Sequence, residues 1–260
     1  SDLRPISLIT TFSKNLEKVI QPQMYHYFTS NQILPSSQSG FRKQYSTITS
    51  LINTSDDIIS ALDKGEATAL VLLDFSKAFD RLDHSLLCAK LKFYGFDTTA
   101  ISFFKSYLSH QMQQVILNNS VSDLKPISSG VPQGSVLGPI LFLLYTSDLF
   151  HCIKISKVQA YADDIQLYYS FKPSQVAAAS ANINSDLQYI YNYAEENNLK
   201  LNISKCAVMT FCPKSDRQQV DANLNLKLND NLLSHVNSAK NLGVTFDNDM
   251  RFHNHLSNVI

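Results

Sequence analysis

Two adjacent carboxylates, Asp163 and Asp164, stand in the segment AYADDIQLYYS (160–170) among apolar and aromatic residues. Like charges a few ångströms apart repel, more strongly as water is excluded, so a half-buried pair needs a compensating charge. An Asp-Asp dipeptide by itself is commonly a solvated turn. Here Val158 and Ala160 before it, and Ile165, Leu167 and Tyr169 after it, alternate as strand residues do and predict a hairpin with the acids at its tip. Carboxylates on so rigid a tip are the oxygen ligands that hard divalent cations such as Mg2+ take. A third acid, Asp74, ends the apolar run ATALVLLDF (67–75), which reads as a buried central strand. With that strand beside the hairpin, three carboxylates can hold two cations about 3.5 to 4 Å apart, as two-metal phosphoryl transfer requires. Alone, Asp74 reads equally well as a strand-end residue capping the next turn.

The remaining elements must position these acids. Phe12, Leu16, Val19 and Ile20 have helical spacing that Pro22 ends or kinks. LPSSQSGFRKQYS (34–46) is a loop, and 47–65 returns to helical spacing through Ile48, Leu51, Ile52, Ile58, Ile59 and Leu62, with Gly65 as C-cap. Asp83 N-caps a helix running to Gly95, and 98–110 forms another. Residues 113–128 read as two short strands around an Asn-rich turn, and 128–150 as a Gly/Pro loop entering an apolar helix. A long helix over 174–197 has Ile183, Leu187, Ile190 and Ala194 on one face, and 199–211, 223–228 and 241–247 have strand character. The mixture without strict alternation predicts an α+β fold, a sheet with helices packed on one side.

The chain of 260 residues, 44% hydrophobic, can bury a substantial core. Its 22 Lys and Arg balance 22 Asp and Glu, so net charge says nothing for or against a nucleic-acid partner. Cys88, Cys152, Cys206 and Cys212 lack metal-ligand spacing and read as reduced thiols in a reducing compartment. No apolar run reaches transmembrane length and no signal peptide opens the chain, so a soluble protein is expected. The opening SDLRPISLIT, without Met, reads as a fragment beginning inside a domain.

LDFSKAFDRLDH (73–84), GVPQGSVLGPILF (130–142) and YADD (161–164), in that order, resemble the palm motifs of reverse transcriptases, most closely those of non-LTR (LINE-type) retrotransposons of the Jockey and chicken-repeat group. RPISL (4–8) and SGFRK (39–43) resemble the fingers motifs, NLKLNISKC (198–206) the motif after the catalytic hairpin, and 241–256 the primer-grip region. The resemblance implies a right-hand polymerase with an antiparallel palm sheet backed by helices. Residues 1–66 would be partial fingers, 67–236 mainly palm with interleaved fingers elements, and 237–260 the primer grip and start of a thumb.

By the same resemblance, Asp74, Asp163 and Asp164 are the catalytic acids and hold two Mg2+ ions, or Mn2+, with the Phe75 carbonyl completing one shell. Phe79 is an aromatic gate under the incoming sugar, although the residue alone reads as core. Gln133 and Gly134 line the nucleotide pocket, and Lys205 protonates the leaving pyrophosphate, a role demanding a movable ammonium. Arg4 grips the triphosphate as a guanidinium fork can, Arg42 assists there or holds template phosphate, and Leu242 and Gly243 form the primer-grip turn. The family's usual Trp is replaced by Tyr193 and Phe252, swaps that keep a large aromatic in the core. A fingers lysine that precedes RPISL in the family has no position here. His253 and His255, two apart on a helix, face apart and read as structural.

The activity implied is RNA-directed DNA polymerisation from dNTPs, with an RNA template, a nicked DNA end as primer and no membrane, in a cytoplasmic ribonucleoprotein and the nucleus. Two rival readings are a group II intron-type maturase, against which SGFRK and LGVTFD weigh, and a truncated or decayed retroelement domain that binds RNA without polymerising.

Overall fold

The computed structural model describes residues 6–118 and 120–259. In chain order its elements are α1 (Thr11–Ser30), α2 (Thr47–Asp63), β1 (Ala67–Leu73), a 3-10 turn (Ala78–Arg81), α3 (His84–Phe93) and α4 (Thr98–Leu108). Four short strands follow, β2 (Met112–Gln113), β3 (Ile116–Leu117), β4 (Ser120–Val121) and β5 (Lys125–Pro126), then α5 (Gly138–Thr146), α6 (Leu149–Cys152), β6 (Lys157–Tyr161), β7 (Asp164–Phe171) and α7 (Val176–Glu196). The chain ends with β8 (Ala207–Phe211), α8 (Arg217–Asn223), β9 (Lys227–Leu228), β10 (Asn231–Leu232), β11 (Ser234–His235), β12 (Ser238–Asn241), β13 (Val244–Asp247) and α9 (His253–Val259).

Thr10, Ser46, Asp83 and Asp97 cap α1 to α4, each side chain accepting the amide three residues on. Helical spacing therefore located the helices, but not always their buried face. In α1, Phe12 and Val19 are 83% and 63% exposed, while Glu17, Met24 and Phe28 are buried. The helix also runs on through Pro22 to Ser30. In α2, Leu51 and Ile58 are buried but Ile48, Ile52 and Ile59 are exposed.

The chain divides into two compact units. One comprises Ser1–Pro35, Lys77–Ser147 and Asn197–Leu199. Its centre is α5, buried from Ile140 to Thr146. The Tyr145 hydroxyl donates to the Asn197 carbonyl at 2.6 Å, and the buried Lys90 ammonium donates to the Tyr145 carbonyl at 2.6 Å. The strand pair expected around the Asn-rich turn is β3 with β4, and β2 pairs separately with β5 on the side away from that turn.

The other unit comprises Ser36–Ser76, Asp148–Glu196 and Lys200–Ile260. Among the described residues it contains a five-stranded sheet of order β11-β8-β1-β7-β6, antiparallel except for the β11–β8 edge. The apolar run 67–73 occupies the centre, which is why it carries no polar alternation. Successive strand residues point to opposite faces. One face is covered by α2, whose Thr54 and Asp57 hydrogen-bond Gln166 and Tyr168, and by the β12–β13 hairpin and the segment before α9 through Ala239, Leu242, Val244 and Phe252. The opposite face carries Tyr169, which meets Asn182 of α7. Helices thus lie on both faces, not on one as expected. The hydrophobic stripes of α2 and α7 are separated by a sheet whose strands are apolar on both sides, and such a sheet needs two covers.

Candidate active site

In the sheet-bearing unit the ladder between β1 and β7 ends at Leu73 and Ile165, which brings Asp74 opposite Asp164. Both side chains belong to the face that also carries Leu72 and Gln166. The β6–β7 hairpin closes with Tyr161 paired to Asp164, leaving Ala162 and Asp163 as a two-residue turn. Ala162 has φ of 58°, a left-handed conformation that residues with a Cβ rarely adopt. The predicted hairpin with acids at its tip is therefore present, and the strand end supplies the third acid beside it.

Phe75 pairs with Leu201 in an isolated antiparallel bridge. The bonds run from the Ser76 amide to the Lys200 carbonyl at 2.7 Å and from the Asn202 amide to the Asp74 carbonyl at 2.8 Å. That is the pattern of a non-hydrogen-bonded pair, in which the Phe75 amide and carbonyl face away from Leu201 and toward the β7 side. Between Leu201 and β8 the chain leaves the ladder in a tight turn, with the Lys205 amide donating to the Asn202 carbonyl at 2.9 Å. The turn carries Lys205 to a cavity of about 290 Å³ that is also lined by Asp74, Asp164, Gln166 and residues 239–242. Cys206, 3% exposed, lies behind Asp74. Burial pushes its thiol above the usual range, while a hydrogen bond with the Asp74 backbone pulls the other way. It stays a neutral, packed thiol.

One wall of the cavity is the β12–β13 hairpin. Asn241 pairs with Val244, and the two turn residues between them, Leu242 and Gly243, have φ of 46° and 92°. Two positive φ values in a two-residue loop mark a type I′ turn, which matches strand twist and usually excludes Leu at its first position. Of the two aromatics that stand for Trp, Tyr193 is in the core as expected, while Phe252 is partly buried and packs against the core. Tyr193 is 6% exposed and donates to Asp148 at 2.5 Å, and Phe252 meets Phe246 edge-on at 5.3 Å. His255 accepts from the Thr245 amide at 3.5 Å, a structural contact. Arg42 is engaged locally, donating to the Gln38 carbonyl at 3.0 Å and lying 4.4 Å from the Tyr45 ring centroid.

The other sequence-selected residues belong to the α5-centred unit. The Phe79 ring is half-buried and stacked on the fully buried Phe142, centroids 4.4 Å apart. The loop before α5 is laced to the 3-10 turn. Val131 donates to the Phe79 carbonyl at 2.9 Å, Gly130 to the Leu82 carbonyl at 2.7 Å, and Gln133 Nε2 to Asp80 at 2.9 Å. Gly130 has φ of 82°, and a Cβ there would lie 2.6 Å from the Asp80 backbone. Gly134 has φ of 104°. The Ser7 amide donates to the Gln133 carbonyl at 2.9 Å; Arg4 lies outside the described residues.

Two residues that sequence reasoning did not single out hold these parts. Glu17, 1% exposed, accepts from the Val136 amide at 2.6 Å, the Leu137 amide at 3.2 Å and the Tyr107 hydroxyl at 3.2 Å, fixing the loop that contains Gln133 and Gly134. Gln38, equally buried, contacts the backbone of Ala162. An acid within the apolar stretch of α1 was the only available signal for the first. The second directly precedes the SGFRK motif.

The carboxylates and the Phe75 carbonyl form an all-oxygen donor set, which suits a hard divalent cation. Among the described residues, no three His, Cys, Asp or Glu side chains stand together as a preassembled metal cluster. The donor chemistry thus fits such a cation, while the fit rests on donor type and strand register and not on a preassembled cluster. Also among the described residues, no helix is long and apolar enough to cross a membrane.

The family described as reverse transcriptase (RNA-dependent DNA polymerase) matches residues 1–246. The chain is 34% identical, over 97% of its length, to a probable RNA-directed DNA polymerase from transposon BS of Drosophila melanogaster. It is 30% identical over 98% of its length to the RNA-directed DNA polymerase from mobile element jockey of the same species. In both cases it spans 28% of the relative. A solved apo telomerase from Candida tropicalis, truncated from its C-terminal domain, shares the fold with a TM-score of 0.54 and 12% identity, over 90% of this chain and 44% of that one. The reverse transcriptase family generally uses divalent metals. With its motifs in order, its acids at one end of an antiparallel sheet and its relatives among transposon polymerases, the chain belongs to the reverse transcriptase family.

Proposed function

We propose that the chain is the polymerising domain of a non-LTR retrotransposon protein, transferring nucleotides from dNTPs to a primer 3′-hydroxyl on an RNA template. The observation that carries this reading is the register that sets Asp74 opposite Asp164, with Lys205 lining the same cavity. Asp74, Asp163, Asp164 and the Phe75 carbonyl would hold two Mg2+ ions, or Mn2+, which when bound acidify the 3′-hydroxyl and offset charge on the pyrophosphate. Lys205, on a turn outside the ladder and lining the cavity that holds Asp74 and Asp164, would donate a proton from its ammonium to the leaving pyrophosphate. The Phe79 ring, braced by Phe142, excludes a ribose 2′-hydroxyl, and Gln133 and Gly134 contact the incoming nucleotide. Leu242 and Gly243 seat the primer end. Arg42 and Arg4 bear on triphosphate or template phosphate.

The template is the element's RNA, the primer a nicked DNA end, and the setting a cytoplasmic ribonucleoprotein and the nucleus. Backbone contacts that ignore base identity serve such a copying enzyme. The decisive experiment is primer extension on RNA with Asp163→Asn. We expect extension to be lost and RNA affinity to stay within twofold, since a metal ligand and not a phosphate contact is removed. Turnover in the variant would sink the assignment.

A further inference from the structure

The buried amide of Gln38 is placed to control the geometry of the acidic hairpin. The segment Ser36–Gly40 runs beside β6 in a parallel bridge between Gln38 and Ala160. The Ser39 amide donates to the Ala160 carbonyl and the Ala160 amide to the Ser37 carbonyl, both at 2.8 Å. From there the Gln38 side chain, 1% exposed, reaches the turn. Its Nε2 donates to the Ala162 carbonyl at 3.1 Å, and its Oε1 accepts from the Ala162 amide at 2.9 Å and the Gly40 amide at 2.8 Å. One carboxamide thus engages both backbone polar groups of Ala162. Only one orientation of the amide suits two N–H donors on one side and a carbonyl on the other. Gly40 completes the clamp, since a Cβ there would lie 2.1 Å from the Ala162 nitrogen.

Ala162 is the residue whose φ is left-handed, and it immediately precedes Asp163. A strained backbone persists only where its surroundings over-determine it. The left-handed residue sets the direction in which the chain enters Asp163 and Asp164. We propose that Gln38 is a positioning residue that locks the left-handed turn at Ala162, holding Asp163 and Asp164 in the arrangement that takes up a divalent cation. The proposal rests on the reading of these acids as cation ligands. A neutral amide suits the task. It donates and accepts at once, and it adds no charge that would compete for the cation or for the acids.

The test uses the 260-residue chain and Mn2+ as probe, followed by the magnetic resonance signal of free Mn2+, which needs no turnover. Gln38→Leu removes the clamp, and Gln38→Glu keeps an acceptor but cannot donate to the Ala162 carbonyl. Both are expected to weaken Mn2+ binding at least tenfold and to speed hydrogen exchange at the Asp163 amide, with RNA affinity within twofold. Extension should fall ten- to a hundredfold in kcat, about 1.4 to 2.7 kcal/mol of barrier, with the dNTP KM little changed. Adding Ala162→Gly to Gln38→Leu should recover part of the Mn2+ affinity, because glycine adopts positive φ freely. Wild-type Mn2+ affinity in Gln38→Glu overturns the proposal, and so does a parallel loss of RNA and Mn2+ binding that Ala162→Gly leaves unrepaired. Asp163→Asn, titrated alongside, separates the two levels. If it binds Mn2+ normally, the ligand reading fails; if it loses Mn2+ while the Gln38 variants do not, only the clamp fails.

Discussion

Replacing Glu17 should damage the loop before α5 without touching any proposed catalytic group. Its carboxylate is 1% exposed and accepts two backbone amides, from Val136 and Leu137, and the Tyr107 hydroxyl. In Glu17→Leu these three donors lose their acceptor in the interior. Each stranded donor costs about 1–3 kcal/mol, so partial relaxation leaves a loss of about 3–6 kcal/mol. Total stabilities are about 5–15 kcal/mol, so this is a large fraction. Glu17→Gln keeps the shape and one acceptor oxygen, losing the charge assistance, about 1–3 kcal/mol. Urea unfolding of the three proteins measures both differences, with the m value checking that the unfolded state is unchanged. The same loop bears Gln133 and Gly134, so Glu17→Gln should also raise the dNTP KM severalfold while leaving RNA affinity alone. A Glu17→Leu protein unfolding within about 0.5 kcal/mol of wild type would refute the reasoning, because the amides of 136 and 137 would then have other acceptors.

Phe79→Ala is expected to admit ribonucleotides selectively, read as the ratio of rNTP to dNTP incorporation; equal loss of both would make the ring, stacked on Phe142, merely core. Stability should fall steeply above pH 10. Burial first, then the neighbouring Glu17 or Asp57, holds the hydroxyls of Tyr107 and Tyr168 well above their ordinary value of 10.0. The folded state then keeps protons that the unfolded chain releases, so each contributes stability that is complete below pH 10 and lost above it by about 1.4 kcal/mol per pH unit. Tyr107→Phe and Tyr168→Phe should each flatten that decline in pH-dependent urea titrations, and an unchanged slope in both would contradict it.

The local pattern alone was enough to find the acids, the hairpin between alternating strands and the apolar strand ending in Asp74, since strand period and turn chemistry are properties of neighbouring residues. Ordered motifs singled out Phe79, Gln133 and Lys205 as candidates. Which side of a helix is buried was beyond local pattern. α1 sinks Glu17 and leaves Phe12 and Val19 in solvent, because burial is decided by what α1 packs against and by the amides awaiting an acceptor. The side of the sheet taken by α2 was undetermined for the same reason. Register was also tertiary. Only the ladder between β1 and β7 sets Asp74 opposite Asp164, and only the turn at 202–205 brings Lys205 to their cavity. Gln38 was silent for a deeper reason. It lies 124 residues from Ala162, and a polar side chain gains its meaning from the buried donors and acceptors that folding brings to it.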